Sequence, residues 1–444
     1  MCERWPGLLA VIVGVALLGP TTHAEAELPR KGMLGINMAR VPQGQGVLIE
    51  GVVPETSAET AGLRPGDILV ALDGQAVRDI GDVMTRVAAI AVGQQIRVSL
   101  VRGGRPVEIT VTMQERPRDR GDTFDVLYHE VVSRGVRLRT IVTKPHAPGR
   151  HPVLFLIPGM GPTRLDEPLT GSTRYSRILH EFAKSGFVTL RIEKPGIGDS
   201  EGGPYVDMDF DSELDINRQA LLAVKRYDFV DPDQVFIFGH SMGGVFGPIV
   251  AAEIPVRGVA VYGTVAKTWF EYFLENTRRQ AVLSGQDPVT IDASLRGLAI
   301  AVHGLLVDGK TANDLVRERP ELRPVFDTLL PRGTIYSRPA RFWSALIQKN
   351  LAASWRDTKT NVLAVYARND YLSSEGDHRL IADIANRVRP GSGTFVALDG
   401  VDHGFQKTAS PEDSFRRRDQ PPDDFDPRVV ATLKAWVDRV RSGR

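Results

Sequence analysis

The run V-F-I-F-G-H-S-M-G-G-V-F-G-P-I-V-A-A occupies residues 235–252. Its first four residues, Val235 to Phe238, are apolar and β-prone and read as a buried strand. Gly239-His240-Ser241-Met242-Gly243 then makes a G-x-S-x-G turn, and the small residues beyond it read as a helix. Strand, sharp turn and helix, in that order, lift a serine clear of a sheet. Gly239 and Gly243 carry no Cβ, so the turn can be tight while the helix packs closely behind it. The amide of Met242, the residue after the serine, points where an oxyanion would form.

A nucleophilic serine needs a base, and the base needs an orienting carboxylate. Asn361 to Ala367 (N-V-L-A-V-Y-A) reads as another buried strand, and Asp370 stands just past its C-terminal end. Phe395 to Leu398 reads as the next strand, followed by Asp399-Gly400-Val401-Asp402-His403-Gly404-Phe405, which places a histidine on a loop. Loops at the carboxyl ends of parallel strands converge on one crevice, so Ser241, Asp370 and His403 can meet despite their separation in sequence.

These motifs resemble the α/β-hydrolase superfamily from about Phe124 to the C-terminus. The segment Gly196-Ile197-Gly198-Asp199-Ser200-Glu201-Gly202 is similar to a loop of the serine aminopeptidase, dienelactone hydrolase and acyl-peptidase-like branches. The resemblance implies a mostly parallel sheet and a Ser241–His403–Asp370 triad. It also implies a second oxyanion donor after the strand His151 to Ile157, in Pro158-Gly159-Met160-Gly161. Pro158 has no N–H, which favours the amide of Met160.

Each assignment has rivals. Ser200 also sits in a G-x-S-x-G run, but Gly203-Pro204 follows where a helix is required, so it reads as a loop residue. His240 adjoins the serine and reads as a packing or tuning residue, while His303 and His378 lack a strand-end position. Asp399 and Asp402 compete with Asp370 as the orienting acid but lie too near His403 in sequence to reach round its ring.

A second pattern runs from Lys31 to about Arg116. Gly46 to Val53 reads as a strand, Leu63-Arg64-Pro65-Gly66-Asp67-Ile68-Leu69 as a turn into another, and Ile80 to Ile90 as a helix. Gln95 to Arg102 and Pro106 to Met113 form a hairpin across Gly103-Gly104. The A-G-L-x-P-G-D-I-L motif resembles the PDZ domains of bacterial envelope serine proteases. The resemblance implies β-augmentation by a chain terminus, its carboxylate cradled by amides near Leu34, Gly35 and Ile36. The alternative is a module that only packs on its neighbour.

The whole chain has 444 residues, 42 % hydrophobic and 25 % charged, with a net charge of +1. That is material for two domains with a sizeable core, and it carries no overall polybasic signature of nucleic-acid or membrane-surface binding. Arg4, the apolar run Leu8 to Leu18 and the small-x-small sites ending at Ala24 and Ala26 read as a signal peptide over residues 1–26. Export to a periplasm or the medium follows, with an uncleaved anchor as the lesser reading. Cys2 is the sole cysteine and lies before that run, so disulfides and cysteine metal sites are not expected. No metal or other cofactor is expected.

The expected architecture is therefore α/β. A signal segment (1–26) is followed by a β-rich PDZ domain (30–116), a polar linker (117–123) and a mostly parallel hydrolase sheet (124–444). A helical cap is expected over about 265–355, opening with Trp269, Phe270, Tyr272 and Phe273. Residues 410–427 read as a surface loop before a last helix, Pro427 to Val440. The function expected is a serine hydrolase acting on carboxylic esters, with peptides as the alternative substrate. A catalytically silent binding scaffold is the alternative from another class. A small-molecule ester or peptide would be the substrate, and a peptide C-terminus the partner of the PDZ module.

Overall fold

A computed structural model describes residues 28–41, 46–87, 90–167, 173–418, 420 and 424–443. The expected signal segment lies outside the described residues.

The N-terminal module is a small sheet. Strands β2 (Ile36–Arg40), β3 (Val47–Val52), β4 (Ile68–Leu72), β6 (Gln95–Arg102) and β7 (Arg105–Thr112) lie side by side in that order. The short β5 (Gln75–Ala76) pairs with β4, and β1 (Gly32–Met33) with β8 (Gln114–Glu115). Helix α1 (Ser57–Ala61) packs on β7, and α2 (Ile80–Val87) lies beside β2. Gly103 and Gly104 both have positive φ, 55° and 79°, which is what a two-residue hairpin between right-twisted strands requires. Leu34, Val47, Ile49, Leu69, Val98 and Leu100 are the centre of a separate core. Among the described residues, strand β2 is hydrogen-bonded on one side only, which leaves this sheet an open edge there.

The second sheet has eight strands in the order β16-β15-β14-β13-β11-β12-β10-β9. Strands β9 (Phe124–Ser133) and β10 (Val136–Pro145) form an antiparallel hairpin, and β10 meets β12 (Val188–Ile192) antiparallel as well. From β12 onward the sheet is parallel through β11 (His151–Ile157), β13 (Val230–His240), β14 (Gly258–Tyr262), β15 (Asn361–Ala367) and β16 (Gly393–Leu398). Continuous apolar runs in β11 and β13 follow from burial on both faces. Leu154, Leu156, Phe236 and Phe238 point to α3 (Arg174–Lys184) and α14 (Arg428–Ser442). Val153, Phe155, Val235 and Ile237 point to the opposite layer, which includes α4 (Phe210–Val224), α5 (Gly243–Glu253) and α12 (Glu375–Val388).

Between β14 and β15 stand six α-helices: α6 (Trp269–Leu283), α7 (Pro288–Val302), α8 (Ala312–Glu318), α9 (Arg323–Leu329), α10 (Ala340–Ile347) and α11 (Leu351–Asp357). Trp343 is fully buried at their centre, stacked on Trp269 at 5.3 Å and meeting Phe273 edge-on at 5.7 Å. Helices α10 and α11 pack on α4 and α5, so the cap shares one core with the sheet.

One expected loop is partly helical. Residues 411–416 form α13 (Pro411–Arg416), because Ser410 caps it by accepting from the Asp413 amide and Pro411 takes the first turn, where its missing N–H costs nothing.

The two modules are joined by a buried ion cluster. Arg30 donates to Asp166 (2.5 Å) and Asp199 (2.9 Å) and stacks on the Tyr128 ring at 4.2 Å. The Lys31 amide donates to Asp199, Arg116 reaches Asp166 at 3.2 Å, and Arg139 donates to the Leu28 carbonyl. In the segment between the modules, Asp119 is buried against Arg191 at 3.1 Å.

Candidate active site

Ser241 follows β13 with φ 54°, a left-handed conformation that costs a residue with a Cβ about 1–3 kcal/mol. The surrounding glycines permit it. A Cβ on Gly243 would stand 2.0 Å from the Ile157 carbonyl oxygen, and one on Gly239 would stand 2.4 Å from that of Gly243. The Ser241 amide donates to Tyr262 at the end of β14, which pins the turn to the neighbouring strand.

Asp370, after β15, receives His403 Nδ1 at 2.8 Å on Oδ2. The same oxygen accepts the Ser373 hydroxyl, while Oδ1 accepts the amides of Leu372 and Ser373. Burial would raise this carboxyl, but the His403 charge and these hydrogen bonds outweigh it and hold Asp370 far below the usual carboxylate range. A Cβ on Gly263 would stand 2.8 Å from His403 Nδ1 and 3.1 Å from Asp370 Oδ2, so the end of β14 closes over the pair. Ser241 and His403 line one narrow cavity with Met242, Trp269 and Tyr272. No direct hydrogen bond joins the Ser241 hydroxyl to the ring among the described residues, an arrangement common before substrate arrives.

The rivals have other partners. Ser200 is fully buried, donates to the Glu193 carbonyl and accepts the Arg139 amide. Asp402 Oδ1 is taken by the amides of Gly404 and Gln406, which shapes the histidine loop. Asp399 is exposed and pairs with Arg368 at 2.7 Å. His378 lies under the loop after β14, with Nε2 facing the Thr264 amide and Nδ1 the Ser374 carbonyl. His303 is on the surface of the cap beside Asp308.

His240 has a role that sequence reasoning left general. Its Nε2 lies 2.9 Å from the His403 carbonyl, and its Nδ1 lies 2.6 Å from the Tyr175 hydroxyl. A carbonyl can only accept, so Nε2 carries the proton and Nδ1 accepts from Tyr175. The Tyr175 hydroxyl accepts in turn from the Gly159 amide at 3.1 Å. A relay thus runs behind Ser241 from the loop after β11 to the loop carrying His403. Burial, followed by the charges of His403 and Arg174, pushes His240 well below the ordinary histidine range.

The loop after β11 passes close to the serine, since a Cβ on Gly159 would lie 3.1 Å from that of Ser241. The Gly159 amide is taken by Tyr175 and the Gly161 amide by Tyr205 at 2.6 Å. The amides of Met160 and Met242 make no hydrogen bond among the described residues.

Buried Lys194 holds the loop's carbonyls, donating to Gly159 at 2.9 Å while pairing with Glu213 at 2.8 Å. Arg338 of the cap pairs with the same Glu213, donates to the Tyr205 carbonyl and lies 3.6 Å over the Tyr205 ring. Farther along, Glu193 Oε1 accepts the amides of Leu165 and Asp166, and Gly198 leaves room for its other oxygen. None of Tyr175, Lys194, Tyr205 or Arg338 was singled out by motif.

Of the cap aromatics, Trp269 and Tyr272 line the cavity at Ser241. Phe273 lines a separate cavity of about 940 Å³ within the cap, and Phe270 meets His303 edge-on. The buried Trp269 Nε1 and Thr264 Oγ1, on residues lining the Ser241 cavity, have no hydrogen-bond partner among the described residues. The described residues hold no group of three or more His, Cys, Asp or Glu placed to bind a metal.

In the N-terminal module, Leu34 is buried, and the carbonyls of Leu34 and Gly35 accept from the amides of Ala58 and Val53. Gly35 has φ 82° and sits so close to Thr56 that a Cβ would stand 2.1 Å from its hydroxyl, while Ile36 opens the edge strand β2.

Comparison with known proteins agrees with this architecture. A profile described as "Alpha/beta hydrolase family" matches residues 153–439, and one described as "PDZ domain" matches residues 32–113. The chain belongs to the alpha/beta hydrolase family and carries a PDZ domain ahead of the hydrolase sheet. It is 22% identical to Esterase EstD of Thermotoga maritima over 67% of this chain and 64% of that one. It is 37% identical to the magnetosome formation protease MamE of Paramagnetospirillum magneticum, over 22% of this chain and 15% of that one. The chain thus spans under two thirds of EstD and a small part of MamE. An esterase of Pyrococcus furiosus of known structure aligns over 73% of this chain and 96% of its own, with TM-score 0.43 and 13% identity.

Proposed function

We propose that this alpha/beta hydrolase is an exported serine hydrolase of carboxylic esters. The observation that carries the reading is the Asp370–His403 contact of 2.8 Å, formed by loops after β15 and β16, beside a cavity that His403 shares with the strained Ser241. Ser241 Oγ attacks the acyl carbon as His403 Nε2 takes its proton, and Asp370 keeps the ring in the tautomer with Nδ1 protonated. The oxygen of the broken π bond becomes an oxyanion between the amides of Met242 and Met160. On collapse the C–O bond to the alcohol breaks, His403 returns the proton to the departing oxygen, and the acyl group stays on Ser241. Water, deprotonated by His403, repeats the attack and releases the acid.

In this reading the PDZ domain recruits a chain terminus along the open edge of β2, with its carboxylate at the amides of Leu34, Gly35 and Ile36. Export rests on residues 1–26 as a signal peptide, and the N-terminal sequence of protein taken from the exported fraction tests it.

The catalytic reading is tested by fluorophosphonate labelling and a panel of p-nitrophenyl esters, aminoacyl amides and peptides. The expected result is labelling and ester turnover that disappear in Ser241→Ala and persist in Ser200→Ala. Faster cleavage of amides than of matched esters would replace the esterase by a peptidase, and absence of both labelling and turnover would leave the binding scaffold.

A further inference from the structure

Beside the histidine lies a second pocket of about 360 Å³, lined by His403 but not by Ser241, within the range of roughly 300–1,000 Å³ typical of ligand sites. Its walls include Arg164, Arg174, Tyr175, Tyr371, His403 and Gln406. Arg164 extends from the loop after β11, and Arg174 opens α3, whose N-terminus adds its own positive end. Neither guanidinium makes an ion pair or hydrogen bond among the described residues. Arg174 lies over the Tyr175 ring at 5.3 Å and against the histidine loop, where a Cβ on Gly404 would stand 3.4 Å from its Nη1. Burial, with Arg116 nearby, pushes Arg164 below its ordinary range even though the carboxylates of Glu193, Asp166 and Glu167 act against the shift.

Among the described residues, no carboxylate at the pocket pairs directly with these two. Asp402 spends one oxygen on the amides of Gly404 and Gln406, and burial raises its pKa. Glu167 also lines the wall, but no ion pair joins it to either arginine among the described residues. Arg417 is engaged by the Lys407 carbonyl and Asp413, and Arg418 by the Phe415 carbonyl.

We propose that this pocket binds a carboxylate carried by the leaving group, so that acyl esters of hydroxy acids are preferred to esters of neutral alcohols. The inference rests on the serine hydrolase reading. Placement follows from the proton's route: the ring that takes the serine's proton must hand it to the departing oxygen, so the leaving group lies against His403. The Ser241 cavity is narrow, and this pocket shares His403 with it but not Ser241. Two planar guanidinium forks suit a carboxylate, which each can bind through two parallel hydrogen bonds.

The test uses the full chain and two esters with the same butyryl group, one of 3-hydroxybenzoate and one of 3-hydroxybenzamide. The acid should be preferred in kcat/KM by about tenfold or more, and that ratio should fall by about tenfold in Arg164→Gln and in Arg174→Gln. Arg174→Glu should turn the preference toward a butyryl ester bearing an ammonium group, a gain that a misfolded variant cannot show. Equal kcat/KM for acid and amide, in protein that labels with fluorophosphonate and hydrolyses both, would overturn the pocket assignment and leave the hydrolase standing. A preference for phenyl hemiglutarate over phenyl butyrate without one for the benzoate would overturn the leaving-group placement. If nothing labels and no ester turns over, the hydrolase reading fails instead. Calorimetric titration with 3-hydroxybenzoate then decides whether the pocket exists: binding lost in Arg174→Gln supports it, and no binding at about 10 mM sinks it.

Discussion

Ser241 carries its own cost in its backbone. A left-handed φ costs an L-residue about 1–2 kcal/mol, which glycine does not incur. Ser241→Gly should therefore be more stable than Ser241→Ala by about 1 kcal/mol, both being inactive; equal midpoints in chemical denaturation would mean that the turn is unstrained. Asp370 is argued from its partners. Asp370→Asn keeps shape but can present a donor to Nδ1, so kcat should fall by about two to four orders of magnitude with the fold intact. Asp402→Asn alters a loop brace and should cost less than about a hundredfold. Near-normal turnover in Asp370→Asn with collapse in Asp402→Asn would reverse the assignment. The acid-side behaviour of His240 has a definite sign. Unfolded, it takes a proton near pH 6.5; folded and buried, it takes one only well below that, so it subtracts stability as pH falls through about 6.5. The wild type should lose more stability between pH 7 and pH 5 than His240→Gln does, and parallel pH profiles would refute this. The meeting of Asp370 and His403 beside Ser241 was legible because each follows an apolar strand, and loops in parallel sheets converge at those ends. Tyr175, Lys194 and Tyr205 were not: a tyrosine on an amphipathic helix or a lysine after a strand looks ordinary until folding brings it to the loop after β11.

At the scale of elements, the strands of the large sheet were the most legible part, because burial on both faces writes an uninterrupted apolar run. The helix α13 was missed because a charged, proline-rich stretch hides a short helix whose sole signal is Ser410-Pro411 with Asp413 at the third position. The cap's helices were expected, but its fastening to the loop after β11 was not. Arg338 reaches out of the cap to Glu213 and Tyr205, and Glu213 in turn faces Lys194, whose ammonium holds the Gly159 carbonyl. Removing one member of a buried pair leaves an uncompensated charge, typically at about 3–5 kcal/mol. Arg338→Met should accordingly lower stability, though by less than that, because Lys194 still faces Glu213. Lys194→Met should also loosen Gly159 and Met160, reducing kcat on neutral esters by about tenfold or more while changing KM less, as expected when a group acts on the transition state. A change confined to KM would show that Lys194 shapes binding alone.

For the whole molecule, the junction decides whether the PDZ domain is a tethered recruiter or a fixed part of the enzyme. The polar stretch 117–123 reads as a linker, yet Asp119 is buried on Arg191, and Arg30 enters the hydrolase surface to meet Asp166 and Asp199. Such pairing was invisible in sequence because the partners lie 136 and 169 residues apart. Asp166 belongs to the same loop as Met160 and Arg164, and its amide is held by Glu193, so the junction abuts the loop after β11 without entering the cavity at Ser241. Removing Arg30 would strand two buried carboxylates, whereas Arg139 and Arg116 can relieve part of that charge. Arg30→Met should then lower the melting temperature of the hydrolase while changing turnover of a small neutral ester, per folded molecule, by less than about tenfold, which is 1.4 kcal/mol of barrier. Deletion of Lys31 to Arg116 should behave alike on that substrate, since Ser241, Asp370 and His403 all lie outside the deleted segment, and any larger dependence should appear with substrates that carry a free C-terminus. A folded deletion variant that loses several orders of magnitude on the small ester would mean that the PDZ domain helps to build the site rather than to supply it.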